Sequence, residues 1–296
     1  MMKINTQNKA RQRLIIEYLK SLKEDRIPWH QSWISVRQHN VVSKRNYRGV
    51  NQLLLSLVGR LNEYKDPRWM TFNQANKKGW KIKKGEKGVP VEFWSPYDLK
   101  KRKTVTLAEM QSIIEADPER RFDFKPISRC IAVFNGEQVE GIPEYKEISF
   151  EEKDPHPFVE NLIMNMGVTY KEEGSKAFYI PSDDSVHIPP NRFFENNYAY
   201  EAVRLHELSH ATGHKSRLNR DQSGGYGSEE YAKEELRAEI ASSFIATELN
   251  LPSGEDYLYN HKAYIQYYIS ILENDPNELF RAIKDAEKIC DYIIDT

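Results

Sequence analysis

Tyr200-Glu-Ala-Val-Arg-Leu-His206-Glu207-Leu-Ser-His210-Ala-Thr-Gly213-His214 is the stretch whose reading organises the rest of the chain. It contains His-Glu-x-x-His. On an α-helix, residues four apart share a face about 6 Å apart along the axis. His206 and His210 can therefore aim their imidazoles at one tetrahedral cation. Glu207 then lies beside that cation, placed to take the proton of a metal-bound water as it attacks a carbonyl. Ala202, Val203, Leu205, Leu208 and Ala211 supply apolar contacts around the helix, so the polar triplet has to face a cleft.

A site of this kind needs a third protein ligand and leaves a fourth position to water. Ser216 stands where a metzincin-type pattern places a third histidine, which disfavours that class. The alternative is a glutamate from the next helix. Ser228 is a good capping residue, and it opens Glu-Glu-Tyr-Ala-Lys-Glu-Glu235-Leu-Arg-Ala-Glu239. Glu235 follows His210 by 25 residues, enough for a loop and a helix that folds back. We take Glu235 as the third ligand and Glu239, on the same face four residues on, as the carboxylate that orients a ligand histidine. His214 lies just past the expected helix end at Gly213 and is a candidate for the surroundings of the metal. Zinc is the expected ion, with manganese or another divalent metal as the alternative.

Upstream, residues 177–189 read as a hairpin with Ser-Asp-Asp-Ser at its turn, and its strand is expected to offer an edge to a peptide. Tyr226 and Tyr231 are candidate donors to an oxyanion. Residues 257–272 and 278–293 read as closing amphipathic helices.

Outward from this segment, composition divides the chain. The formal net charge of −1 hides 29 Lys+Arg against 17 Asp+Glu in residues 1–150, and 14 against 27 in residues 151–296. Such asymmetry suggests two modules with different partners. A Gly-, Pro- and acid-containing stretch from Phe134 onward places the boundary near 145. The expected fold class is α+β in two domains. Residues 1–145 form a mixed α+β unit, and 146–296 a mainly helical unit with a small sheet.

All five tryptophans lie in the basic half. Residues 8–24 and 50–60 read as helices, with Pro28-Trp29 ending the first. Strand signals fall at 69–72, 89–94, 103–107 and 129–134, and turns at 84–88 and Ser95-Pro96. Aromatics interleave with cations at Trp29, Trp33 and Arg37, at Lys44, Tyr47 and Arg48, and at Trp80, Lys83, Lys84 and Lys87. Single-stranded nucleic acid calls for this pairing, because cations follow phosphates and ring faces stack unpaired bases. The signatures of common duplex readers are absent.

The two cysteines, Cys130 and Cys290, are too few for a disulfide framework or a Cys-rich zinc module, and are expected as buried thiols in a reducing cytoplasm. No apolar run is long enough to span a membrane, and no secretory signal is visible. The expected setting is cytoplasmic, with no membrane partner.

Taken together, these blocks resemble the ArdC-type antirestriction proteins of conjugative plasmids. The resemblance covers nearly the whole chain. It rests on Pro28-Trp29 and Trp33, Tyr47-Arg48-Gly49-Val-Asn51, Thr71-Phe-Asn-Gln74, Lys84-Gly-Glu-Lys-Gly88, Val133-Phe-Asn-Gly-Glu-Gln138, the His206–His214 segment, Arg217-Leu and Glu234-Glu-Leu-Arg-Ala-Glu239. Asn51, in the second block, joins the strand-contacting candidates. The resemblance implies an N-terminal domain that binds single-stranded DNA and a C-terminal zincin-like metallopeptidase domain. It also implies a role in protecting plasmid DNA entering by conjugation. A protein substrate or host restriction component is the further partner expected. Two other functions fit the same residues: a non-catalytic shield that coats the strand and uses metal structurally, and a DNA-tethered repair protease.

Overall fold

The computed structural model describes residues 8–24, 37–146, 156–194, 196–225, 227–251 and 265–296. Trp29, Trp33, Tyr226, the helix stop at Pro28-Trp29 and the first part of the expected helix 257–272 lie outside them.

The chain opens with α1 (Lys9–Lys23), capped by Asn8, whose side chain accepts from the backbone of Ala10 and Arg11. Its buried stripe of Leu14, Ile15, Tyr18, Leu19 and Leu22 has the helical period and packs on α2 (Gly49–Leu61). Between them comes β1 (His39–Asn40). After α2 come β2 (Arg68–Thr71), α3 (Phe72–Lys77), β3 (Lys81–Ile82), β4 (Val89–Asp98), β5 (Lys103–Thr104), α4 (Leu107–Ala116), β6 (Phe124–Asn135) and β7 (Val139–Glu140). Five strands form one sheet in the order β1-β2-β6-β4-β5, with β1 parallel to β2 and the other pairs antiparallel. β3 and β7 make a separate pair.

Several expectations for this half need correction. Ser95-Pro96 is not a turn, because β4 runs through it and pairs with β6 from Val89↔Val133 to Asp98↔Phe124. Pro96 is tolerated because its carbonyl faces away from β6, accepting from Val105 N at 2.9 Å. No ladder donor toward β6 is lost there. The strand expected at 69–72 stops at Thr71, which caps α3 in a reciprocal pair with Gln74. Thr106 and Glu109 do the same for α4, so Leu107 starts a helix instead of ending a strand.

The acidic half begins at α5 (Pro157–Met166) and continues with β8 (Thr169–Glu172), β9 (Phe178–Ile180) and β10 (Ser185–Ile188). The hairpin forms as expected, with Ser185 opposite Ile180. Its second strand cannot offer an edge, because β10 also pairs in parallel with β8 and lies in the middle of the sheet. β8 and β9 hold the outer positions. Then follow α6 (Asn197–Ala211), α7 (Glu229–Glu248), α8 (Ile265–Asn274) and α9 (Asn277–Asp295). Residues Tyr200 through Ala211 of α6 are all buried, so this helix is enclosed on every side, unlike the two-faced α1.

The two halves share one apolar core that runs from Leu14 and Leu54 through Leu205 and Leu236 to Ile289. Ion pairs join them at its margin. Lys23 meets Glu273 at 2.6 Å, Arg48 meets Asp291 at 2.5 Å, and Arg37 pairs with Glu248. Part of the charge asymmetry is thus spent inside the molecule, cation of one half on carboxylate of the other. Of the cysteines, Cys290 is buried, but Cys130 is exposed on β6, a correction to the expectation for both. No helix among the described residues is long and apolar enough to cross a membrane.

Candidate metal centre

Asn196 starts α6 by accepting from Ala199 N at 2.8 Å, and Ser228 starts α7 by accepting from Tyr231 N at 3.1 Å. The two helices pack together. That packing sets Glu235 of α7 against the face of α6 that carries the histidines. The Nε2 atoms of His206 and His210 approach to 3.2 Å. The two Glu235 oxygens lie 3.4 Å away, Oε2 from His206 and Oε1 from His210. All three residues are buried, and their ligand atoms lie within 4.8 Å of one another.

The outer edges of both rings meet carboxylates. Glu239 Oε1 lies 3.6 Å from His206 Nδ1, and Glu234 Oε1 accepts from His210 Nδ1 at 3.3 Å. A proton held on Nδ1 leaves the Nε2 lone pair pointing inward, the tautomer a metal requires. Glu234 is itself fixed. Arg220 Nη2 donates to it at 2.7 Å, and the same guanidinium reaches Ser209 O at 2.8 Å and Thr212 Oγ1 at 2.6 Å. Gln222 Nε2 donates to His210 O at 2.8 Å. Gly213 admits this contact, since a Cβ there would lie 2.6 Å from Gln222 Cδ.

Four buried carboxylates, Glu207, Glu234, Glu235 and Glu239, surround two imidazoles and a single guanidinium. Burial works to raise the pKa of Glu235, but His210 and His206 outweigh it and hold the group well below the usual carboxylate range. Burial likewise opposes charge on His210, yet Glu235 and Glu234 draw it well above the usual histidine value. The cluster therefore favours positive charge at its centre. Two nitrogens and a carboxylate, all inward-facing, are the donor set that suits a divalent ion such as zinc. The Glu207 carboxylate forms no side-chain hydrogen bond among the described residues, and burial pushes it above the usual range. Tyr198, near Glu239, has its phenol pushed up to about 12 by burial.

The structure thus brings His206, His210, Glu235 and Glu239 together, with Glu207 adjoining. His214 does not join them. The helix ends at Ala211, before Gly213, and the chain then turns His214 toward Ser216, 2.8 Å away, and Asp184, 3.8 Å away. Glu234 and Arg220 went unrecognised. The adjacency of two glutamates, 234 and 235, is the signal in sequence, since one meets both Nε2 atoms and the other the Nδ1 edge of His210.

Several of the expected strand-contacting residues have partners within the chain. Arg48 is held by Asp291 at 2.5 Å and Glu287 at 3.5 Å. Asn51 clips the backbone of Glu92, donating to its carbonyl and accepting from its amide at 2.7 Å each. Tyr47 packs partly buried against the main core, and Trp80 against a small cluster with Val41, Met70, Ala75 and Val139. Lys44, Lys83, Lys84 and Lys87 are exposed, and Lys83 Nζ donates to Glu137 O at 2.7 Å.

Comparison with known proteins agrees with this layout. Residues 8–134 match the family model described as the N-terminal domain of anti-restriction factor ArdC, and residues 157–285 match that of the zincin-like metallopeptidases. Two Escherichia coli proteins named DNA primase TraC are each 37% identical over 93% of this chain. The chain spans only 26% and 19% of their lengths. Protein y4eC of Sinorhizobium fredii (strain NBRC 101917 / NGR234), described as uncharacterized, is 33% identical over 90% of this chain and 84% of its own. Among solved structures, the metal-free antirestriction ArdC protein from plasmid R388 superposes with a TM-score of 0.75 at 25% identity, covering 97% of each chain. Its Mn(II)-bound form gives 0.73 at 26% identity over 96% of this chain and 97% of that one. The chain therefore belongs to the family of ArdC-type antirestriction proteins, built from an ArdC N-terminal domain and a zincin-like metallopeptidase domain.

Proposed function

We propose that this antirestriction protein binds single-stranded DNA entering a cell by conjugation and acts as a metal-dependent peptidase on a protein at that DNA. Residues 1–145 would bind the strand and 146–296 would carry the chemistry, in the cytoplasm of the recipient. The observation that carries the peptidase reading is the convergence of both Nε2 atoms on the two oxygens of Glu235, with both Nδ1 edges facing carboxylates.

His206, His210 and Glu235 would hold a divalent ion, zinc first and manganese as the alternative. When bound, such an ion lowers the pKa of a coordinated water and polarises a carbonyl. Glu239 and Glu234 keep the imidazoles oriented. Glu207 serves as general base. Its carboxyl is buried and has a raised proton affinity, which suits a group that takes a proton and then passes it to a leaving amine.

The test is transfer of an unmodified plasmid into a restricting host, with the Glu207→Ala chain in place of the unaltered one. Loss of protection with metal content unchanged supports the peptidase. Protection retained by Glu207→Ala would instead favour a shield that coats the strand.

A further inference from the structure

β4 and β6 pair for ten residues, but the core covers only one end of the ribbon. Val89, Val91 and Val133 are buried, whereas Phe93 and Trp94 remain 54% and 52% exposed. The partner opposite Trp94 is Ser128, too small to cover an indole, and the partner opposite Phe93 is Arg129. A cleft of about 560 Å³ opens here, lined by Asn8, Lys9, Trp94, Ser128 and Arg129 among others. That volume lies within the roughly 300–1,000 Å³ usual for small-ligand sites.

The charge in this cleft is one-sided. Lys9 and Arg129 form no ion pair among the described residues, and Arg129 only donates to Thr104 Oγ1 at 3.3 Å. The one acid lining it, Glu92, is neutralised by Arg11 at 3.2 Å and accepts from Asn8 at 2.8 Å. Further along the ribbon Lys125 Nζ lies 5.7 Å from the centre of the Tyr97 ring. Single exposed aromatics are ordinary on protein surfaces. An uncovered indole beside a cation without an acidic partner among the described residues, here Lys9, is what a base and its phosphate require. The contrast with Arg48, whose cation is held by two carboxylates, decides between the two surfaces.

We infer that single-stranded DNA lies along the exposed end of the β4–β6 ribbon, with a base stacked on Trp94 and a phosphate held by Lys9, which lines the same cleft, while Arg129, opposite Phe93, stands on the other face of the ribbon. This rests on the strand-binding reading above and moves the contact surface away from the stretches that composition suggested.

The test is anisotropy of a fluorescein-labelled oligo(dT) with the full chain and with Trp94→Ala, Trp94→Phe and Lys9→Ala, each first checked for unchanged melting temperature and metal content. Trp94→Ala should weaken binding by about five- to a hundred-fold, the range of one lost base stack. Trp94→Phe should restore most of it. Lys9→Ala should lower the slope of log affinity against log salt by about 0.7, the value for one phosphate on a single strand. If the unaltered chain binds and both alanine variants match it in affinity and salt slope, the ribbon is not the contact surface. If the unaltered chain does not bind oligo(dT) at all, the strand-binding reading falls, and this assignment with it.

Discussion

Glu234 and Arg220 brace the outer edge of His210. One Glu234 oxygen accepts from Arg220 Nη2 at 2.7 Å and from His210 Nδ1 at 3.3 Å. Arg220 in turn reaches back to Ser209 O and Thr212 Oγ1, so the loop after α6 is tied to the helix it follows. The orientation of the His210 imidazole thus depends on Arg220, a residue outside the cluster of His206, His210 and Glu235.

Removing that brace should weaken metal binding without abolishing it. Glu234→Gln and Arg220→Ala are each expected to lower affinity by about 10- to 100-fold, the usual effect of losing a group that orients a ligand histidine. Competition against a chromogenic chelator measures this directly. Affinity unchanged in both variants would mean that His210 is held by helix packing alone.

The placement of α6 itself depends on Arg204. It is 1% exposed, pairs with buried Glu201 at 3.2 Å and with Glu160 at 2.7 Å, and lies over the rings of Tyr200 and Tyr170 at 4.9 and 5.5 Å. Glu201 also accepts from His156 N at 2.7 Å, fixing the approach to α5. Arg204→Ala leaves that carboxylate buried without its cation and should destabilise the fold by about 3–5 kcal/mol. Urea denaturation would detect this as a large fall in midpoint. A change below 1 kcal/mol would mean that water or rearrangement replaces the pair.

The two thiols should behave differently. Cys130 is exposed, while burial pushes Cys290 up to about 11. The thiolate is the reactive form, so near neutral pH the native chain should titrate one thiol rapidly, and the second only after denaturation. The reactivity of Cys290 should rise with pH until about 11 and then level off. Two fast thiols in the native chain at neutral pH would contradict the burial.

Much of the metal centre was legible because its decisive spacings are local. Four residues from His206 to His210 fix one helix face, and Ser228 marks the start of the helix that brings Glu235 back. Glu234 and Arg220 were not legible in the same way. Their role depends on the loop of residues 213–222 folding onto α6, which no periodicity encodes. In the basic half, the capping pairs Thr71–Gln74 and Thr106–Glu109 signal α3 and α4, but the aromatic residues Trp69 and Phe72 and the β-branched Thr104-Val105 beside them read as strand. Arg48 shows a different limit. Its cation looks available in sequence, yet its partners lie 239 and 243 positions away on α9. Charge pattern alone could not separate it from Lys9, which lines the open cleft and forms no ion pair among the described residues.

Metal content of the purified full chain after equilibration with zinc or manganese tests the central claim most directly. One divalent ion per chain should remain bound after gel filtration, should be absent from His206→Ala and Glu235→Ala chains of native circular dichroism, and should persist in Glu207→Gln. No retained ion in the unaltered chain, or equal retention in His206→Ala, would contradict the account.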